Sequence, residues 1–239
     1  MSAPDISIVI PAYDEEACIP KCVREAAEVM DRLERPYEIV VIDDGSTDGT
    51  FAALKELRHE MPVLRAARFR ENRGQSAAMQ AGFRLATGDI VVTMDADRQN
   101  DPNDIPRLLD LIGEWDAVCG VRTKRRDNVI RRLSSRFANW VRNKLSDEHI
   151  QDTGCSLKAY KREYLVKLKL YEGMHRFLPT LLKMEGARVT EVAVNHRPRL
   201  EGEAKYNVWN RVFKSFKDLL AVRWMKRRFI RYDIEEEIG

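Results

Sequence analysis

The sequence predicts an α/β protein, a doubly wound and mostly parallel sheet, followed by a C-terminal basic amphipathic helical region. Three observations carry this. Short, continuous β-branched runs alternate with helix-period stretches over the first 120 residues. The connections between them are short and rich in turn residues. Three strand ends run straight into acids or turn chemistry: Tyr13-Asp14-Glu15, Asp43-Asp44 and Asp95-Ala96-Asp97. In doubly wound sheets ligands sit beyond the carboxyl ends of the strands, so three such exits point to one site.

The elements follow in order. Ile6–Ile10 reads as a buried strand ended by Pro11, and a helix is expected from about Glu15 to Glu34. Ile39–Ile42 is the second strand, closed by the turn and cap cluster DDGSTDGT, with Asp48 or Thr47 as cap of a helix from Thr50 to Glu60. Val63–Phe69 is a weaker strand, Asn72-Arg73-Gly74 a turn, and Gln75–Ala86 a small-residue helix. Ile90–Met94 leads into Asp95-Ala96-Asp97; Asp104–Ile112 reads as a helix and Ala117–Val121 as a strand. His149–Tyr160 reads as a loop leading to a strand, and Val189–Asn195 alternates as a strand does. Trp209, Val212, Phe213, Phe216, Leu219 and Leu220 fall on one face of a last helix.

At 239 residues, 44% hydrophobic and 33% charged, the chain is globular and long enough for one domain with or without a tail. Its longest uncharged stretch, Gly74–Phe83, is far below the ~20 apolar residues of a spanning helix, and the N-terminus lacks a secretion signal. A protein kept inside the cell, soluble or peripheral, is expected. Cys18, Cys22, Cys119 and Cys155 are too few and too scattered for a disulfide framework or a zinc site. The net charge of +3 hides an asymmetry: residues 1–120 hold 13 Lys and Arg against 23 Asp and Glu, the rest 28 against 15. An acidic half suited to a cation precedes a basic half suited to anions. Residues 122–145 contain nine basic residues and one acid, with Phe137, Trp140, Val141 and Leu145 at helical spacing. Residues 205–231 repeat that balance, with Trp224, Met225, Phe229 and Ile230 suiting either a membrane surface or packing on the sheet.

Asp95-Ala96-Asp97-x-Gln99 is the pattern that carries chemistry. Two carboxylates at a strand end can converge on one hard divalent cation, and Gln99 can add an amide oxygen. A calcium EF-hand is excluded, because Asn100 and Pro106 stand where its loop needs Gly and Glu. Neither GxGxxG after the first strand nor a P-loop is present. A bound nucleotide would be held by acids on base and ribose, with Asp44 a candidate, and by metal on its phosphates.

The segments IVIPAYDEE, IVVIDDGSTDGT, ENRGQSAAMQAGF and ATGDIVVTMDADRQNDP resemble the nucleotide-sugar domain of the inverting glycosyltransferases of family two. CGVRTKRRDNVIRRLSSRFAN, DTGCSLKAYKRE and HRPRLEGEAKYN narrow the resemblance to polyprenyl-phosphate glycosyltransferases, the group that includes dolichyl-phosphate mannose synthase. The resemblance implies a GT-A-like catalytic domain over residues 1–205, with a nucleotide-sugar half (1–120) and an acceptor half (121–205), and a membrane-surface region over 206–239. It implies that Pro11, Tyr13, Glu15, Ile42 and Asp44 line the nucleoside pocket. Asp95, Ala96 (by its backbone), Asp97 and Gln99 would bind Mg2+ or Mn2+ and the sugar diphosphate, the metal falling to Asp95, Asp97 and Gln99. Arg122 and Arg131 would meet phosphate, and Arg199 and Lys205 of R-x-x-G-x-x-K would reach the donor's diphosphate, with Gly202 turning the chain. Two departures stand out: DDGS replaces a DDDS-type turn, leaving base preference open, and the group's common C-terminal spanning helices are absent.

The implied reaction is inverting transfer of a hexose from a nucleoside diphosphate sugar (GDP-mannose or a UDP-sugar) to a polyprenyl phosphate, at the cytoplasmic face of a membrane. The phosphate acceptor is largely dianionic at neutral pH, so Asp152 is expected to orient acceptor or sugar rather than act as a base. A family-two enzyme with a soluble, protein or polysaccharide acceptor is the alternative. A nucleic-acid-binding module is the remote one, and its partner is not expected because the acidic first half repels phosphate.

Overall fold

In a computed structural model, residues 4–123, 150–198, 208–230 and 235–236 are described, and for residues 208–216 the backbone alone. Seven strands form one mixed sheet in the order β3-β2-β1-β4-β6-β5-β7. They are β1 (Ile6–Ala12), β2 (Tyr37–Asp43), β3 (Leu64–Arg68), β4 (Ile90–Thr93), β5 (Ala117–Arg122), β6 (Lys158–Lys161) and β7 (Val189–Val194). All neighbours run parallel except β6, which is antiparallel to both β4 and β5. The apolar runs are continuous because both faces are covered.

One face packs under α1 (Ile19–Arg32), α2 (Thr50–Glu60) and α4 (Ile105–Leu109), with Ile8, Ile10, Val23, Met30, Leu54 and Leu108 at its core. The other packs under α3 (Gln75–Leu85), α6 (Leu178–Met184) and α7 (Val208–Arg228), around Val9, Phe83, Tyr160 and Leu182. A short helix, α5 (Arg162–Leu165), follows β6. Successive strand residues alternate between the two clusters, as the pleat requires.

Several expected boundaries move, each for a local reason. β1 continues through Pro11, which pairs with Ile42 of β2. Its pairing with β4 ends at Val9, so from there β1 has a neighbour on one side and tolerates a residue without N–H. α1 starts at Ile19 rather than near Glu15, with Pro20 in its first turn, because residues 13–16 are committed to loop contacts. The expected Asp104–Ile112 helix is a 3-10 turn (Pro102–Asp104) followed by the five residues of α4, with Pro106 in the first turn of α4. Gly49, not Asp48, holds the cap position of α2. Asp48 still accepts from the first helical N–H, that of Thr50, at 3.0 Å.

The described part of the apolar face of α7 is divided between core and solvent. Leu219 is 4% exposed and Val222 fully buried, with Met225 packed beside them, but Leu220 is 45% exposed. The 100° helical step rotates Leu220 off the seam that Leu219 and Val222 share. The helix is seated by Asp218 against Gly173, whose φ of 81° and open α-carbon face admit the carboxylate; a Cβ there would lie 2.2 Å from Asp218 Oδ2. All four cysteines are buried, and none of them is in a disulfide. The arginine-rich stretch 124–149, including Arg131, and residues 199–207, including Arg199, Gly202 and Lys205, lie outside the described residues, as do Trp209, Val212, Phe213 and Phe216 as side chains.

Candidate active site at the carboxyl ends of the strands

The ends of β1 and β2 are stitched together by side chains. Asp14, in left-handed backbone at φ 51°, donates its N–H to Ser46 Oγ at 2.9 Å and accepts from Thr47 N at 2.7 Å. Glu15 N donates to Thr50 Oγ1 (2.8 Å), Glu16 N donates to Asp48 Oδ2 (3.1 Å), and Glu16 Oε2 accepts from Gly49 N (2.9 Å) across the two loops. Asp43 is fully buried and accepts from Ser46 N at 2.9 Å, with Arg68 Nε 3.2 Å from its other oxygen. Pro11, Tyr13, Glu15, Ile42 and Asp44 therefore belong to one cluster of loop and strand ends.

Asp44 links that cluster to the third acidic exit. Its two oxygens accept from Arg73 N (2.7 Å) and Gly74 N (2.8 Å), which fixes the turn opening α3. Burial raises its carboxyl above the ordinary range, against those two hydrogen bonds. The next residue, Gln75, donates Nε2 to Asp95 Oδ1 at 2.9 Å. The acids expected to share a site are joined through this short chain of contacts.

Asp95 is pushed up to about 6 by burial first and by the neighbouring Asp97 carboxylate second; Ser156, Lys158 and Arg122 act in the opposite sense. A buried carboxylate whose charging is opposed by a neighbouring one is a donor a divalent cation would relieve. The backbone around them is held: Asn100 Oδ1 accepts from Asp95 N and from Ser156 Oγ, both at 2.8 Å, and Asp97 Oδ1 accepts from Gln99 N at 3.1 Å. No group of three or more His, Cys, Asp or Glu suited to a metal occurs among the described residues. Asp95, Asp97 and the Gln99 amide fit an oxygen-preferring ion that keeps water and phosphate in its other positions. Cys22 lies beneath, with Sγ 3.7 Å from Asp95 O; burial, then Glu25 and the two aspartates, push its thiol up, so it stays protonated and unreactive.

The acceptor-half residues lie beside this loop. Arg122, at the end of β5, donates Nε to Asp152 Oδ2 (2.7 Å) and Nη2 to Asp152 Oδ1 (2.8 Å). Thr93 Oγ1 donates to Ser156 O at 2.6 Å, tying the DTGCS segment to β4. The chain after β7 is bonded to the loop that follows β4: Asn100 and His196 form an antiparallel bridge, and Arg197 N donates to Gln99 O at 2.8 Å. His175 Nδ1 lies 2.8 Å from Ser76 Oγ.

The sequence reading did not single out Gln75, Glu25, Arg98, Arg197 or Lys158. Gln75 stands at a turn-to-helix junction inside a motif already quoted, a signal that could have marked it. Lys158 is 3% exposed at the site end of β6, and nothing in the apolar-strand pattern announces a buried ammonium.

Residues 7–168 match the family model described as glycosyl transferase family 2. The dodecaprenyl-phosphate galacturonate synthase of Rhizobium johnstonii is 36% identical over 229 residues, covering 93% of this chain and 68% of that protein. An undecaprenyl-phosphate 4-deoxy-4-formamido-L-arabinose transferase of Aeromonas hydrophila is 36% identical over 205 residues, covering 85% of this chain; the chain spans 63% of its length. Among solved structures, glucosyl-3-phosphoglycerate synthase from Mycobacterium tuberculosis with Mn2+, UDP and phosphoglyceric acid superposes with a TM-score of 0.68 at 20% identity, over 95% of this chain and 80% of that one. A mannosyltransferase from Pyrobaculum calidifontis with GDP-Man and Mn2+ gives 0.59 at 24% identity, over 95% and 71%. These structures share the GT-A-like fold. The chain belongs to glycosyl transferase family 2.

Proposed function

We propose that this chain transfers a sugar, with inversion, from a nucleoside diphosphate sugar to a polyprenyl phosphate. One observation carries the reading: the Asp44–Gly74–Gln75–Asp95 chain of contacts joins the nucleoside-side loops to a paired-carboxylate loop, with the Arg122–Asp152 pair alongside. The relatives named for dodecaprenyl- and undecaprenyl-phosphate products supply the acceptor class.

Pro11, Tyr13, Glu15, Ile42 and Asp44 hold the nucleoside, and Asp95, Ala96, Asp97 and Gln99 face the diphosphate. Mg2+ or Mn2+ on Asp95, Asp97 and Gln99 would supply Lewis-acid neutralisation of the leaving group. The acceptor's phosphate oxygen attacks the anomeric carbon as the bond to the nucleoside diphosphate breaks, and one displacement inverts the centre. Because that phosphate is already largely dianionic at pH 7, the site needs orientation more than a base. Asp152 aligns Arg122, whose remaining N–H groups meet acceptor phosphate together with Arg131. Arg199 and Lys205 neutralise the departing diphosphate; the anchoring of residues 196 and 197 on the metal loop supports this, since Arg199 follows two residues later. Losing such a charge-assisted contact costs about 10²–10³ in rate.

No helix among the described residues is long and apolar enough to cross a membrane. Leu220, Trp224 (64% exposed), Phe229 and Ile230 (79% exposed) project near Lys217, Arg223, Arg227 and Arg228. This arrangement supports contact with an anionic membrane surface, at the cytoplasmic face where nucleotide sugars are available.

The test is transfer by the purified chain with Mn2+ and radiolabelled UDP- and GDP-sugars. Label entering chloroform only when polyprenyl phosphate is added is expected. Label passing instead to a soluble or protein acceptor would move the chain to another branch of the family.

A further inference from the structure

Arg98 lies between Asp97 and Gln99 in left-handed backbone, φ 60°, where a residue with a Cβ is strained and persists only if its surroundings fix it. The fixing group is on another element. Glu25, on α1, accepts from Arg98 Nε at 3.1 Å and from its Nη2 through the same oxygen, Oε1. Its other oxygen, Oε2, accepts from Arg197 Nη1 at 2.6 Å. Arg197 also reaches Asp101 Oδ1 at 2.8 Å through Nη2, and its N–H bonds Gln99 O. These four side chains are 17–30% exposed, drier than ordinary surface pairs.

The quartet is electrically neutral, two arginines against two carboxylates, so the two guanidiniums are committed to Glu25 and Asp101 rather than offered to phosphate. Burial would raise the Glu25 carboxyl, but hydrogen bonds from Arg98 and Arg197 outweigh it and hold it below the ordinary range. One carboxylate thus bonds the metal loop on one side and the strap following β7 on the other, using one oxygen for each.

We infer that Glu25 is a positioning residue: through Arg98 and Arg197 it holds residues 97–101 and 195–198 in register, and so sets the placement of Asp97 and Gln99 for metal-dependent binding of the nucleoside diphosphate. The inference rests on the donor-site reading above, but part of its test does not.

The full chain is compared with Glu25→Ala, Glu25→Gln, Arg197→Ala and the Glu25→Ala/Arg197→Ala double variant. Amide hydrogen exchange of the metal-free proteins reads the loop directly: exchange over residues 96–101 and 195–198 is expected to quicken about tenfold in Glu25→Ala, with the strands unchanged. Mn2+-dependent binding of UDP or GDP is expected to weaken about tenfold in both single alanine variants and no further in the double, as for residues acting through one contact set. Glu25→Gln, which keeps one acceptor oxygen, should retain part of the binding, and kcat should fall less than KM rises. Unchanged exchange at 96–101, or losses that multiply in the double variant, overturn the inference. If the unaltered chain binds no nucleoside diphosphate, the donor-site reading falls, and the exchange result alone still decides the role of Glu25 in holding the loop.

Discussion

Arg122 and Asp152 face each other in a two-pronged ion pair, Nε to Oδ2 at 2.7 Å and Nη2 to Oδ1 at 2.8 Å, with Gly154 N donating to Oδ1 at 3.2 Å. Both carboxylate oxygens are engaged, and the adjoining glycine leaves room: a Cβ on Gly154 would meet Arg122 Nη2 at 3.0 Å. A carboxylate so engaged is placed to aim a guanidinium.

Asp152→Asn is therefore expected to lower transfer about 10²-fold, chiefly by raising the KM for polyprenyl phosphate, and Arg122→Ala to do the same. The double variant should be no worse than the worse single. Steady-state kinetics with varied acceptor decide it. A pure kcat loss in Asp152→Asn with acceptor KM unchanged would instead make Asp152 a proton acceptor.

Asp97→Ala and Lys205→Ala should each abolish measurable transfer while moving the melting temperature little, since both are proposed to act on the diphosphate. The magnitude expected is at least about 10²–10³ in rate. Near-full activity in either variant would contradict its placement in the site.

The raised Asp95 carboxyl has a consequence for stability. Its folded value of about 6 exceeds the unfolded 3.8, so the metal-free fold binds that proton more tightly than the unfolded chain does. This contribution is full below about pH 4 and is lost as pH rises from there through about 6. Asp95→Asn should raise the melting temperature in EDTA at pH 7 by about 2–4 °C, an effect of order 1 kcal/mol, and the gain should shrink toward pH 5. Thermal melts across pH 5–8 measure it. A variant less stable than the parent at pH 7 would refute the sign.

The exposed apolar residues of α7 and of the two positions after it can be altered without touching its seam. Trp224→Glu with Ile230→Glu should release the chain from anionic vesicles in sedimentation while leaving Leu219 and Val222 packed and the melt unchanged. Removing residues 206–239 would be a poorer probe, because it also strips those two from the core. Unchanged sedimentation of the double variant would remove the membrane reading.

The fold was largely legible from sequence because its strands are buried on both faces and so appear as unbroken β-branched runs, Ile39–Ile42 and Ile90–Met94 above all. Orientation was not: Lys158–Lys161 shows no apolar run, and its antiparallel placement follows from pairing with β4 and β5. The site acids stood out because they follow strands directly. The groups that hold them did not. Glu25 looks like any helical surface glutamate, and only the fold reveals two arginines from distant segments on its two oxygens. Spacing puts Leu220 on one apolar face with Leu219, and a face wider than the buried seam does not say which of its edges is wet.

The central claim is a donor site closed by Asp95 and Asp97 around a metal-bound diphosphate. A thermal-shift comparison of UDP and GDP, each with and without Mn2+, against the parent chain and Asp97→Ala tests it most directly. Stabilisation of about 2.7 kcal/mol at a hundredfold excess over Kd is expected for one of the two nucleotides, only with Mn2+, and absent in Asp97→Ala. A shift that ignores the metal and survives in Asp97→Ala, or no shift with either nucleotide, would contradict it.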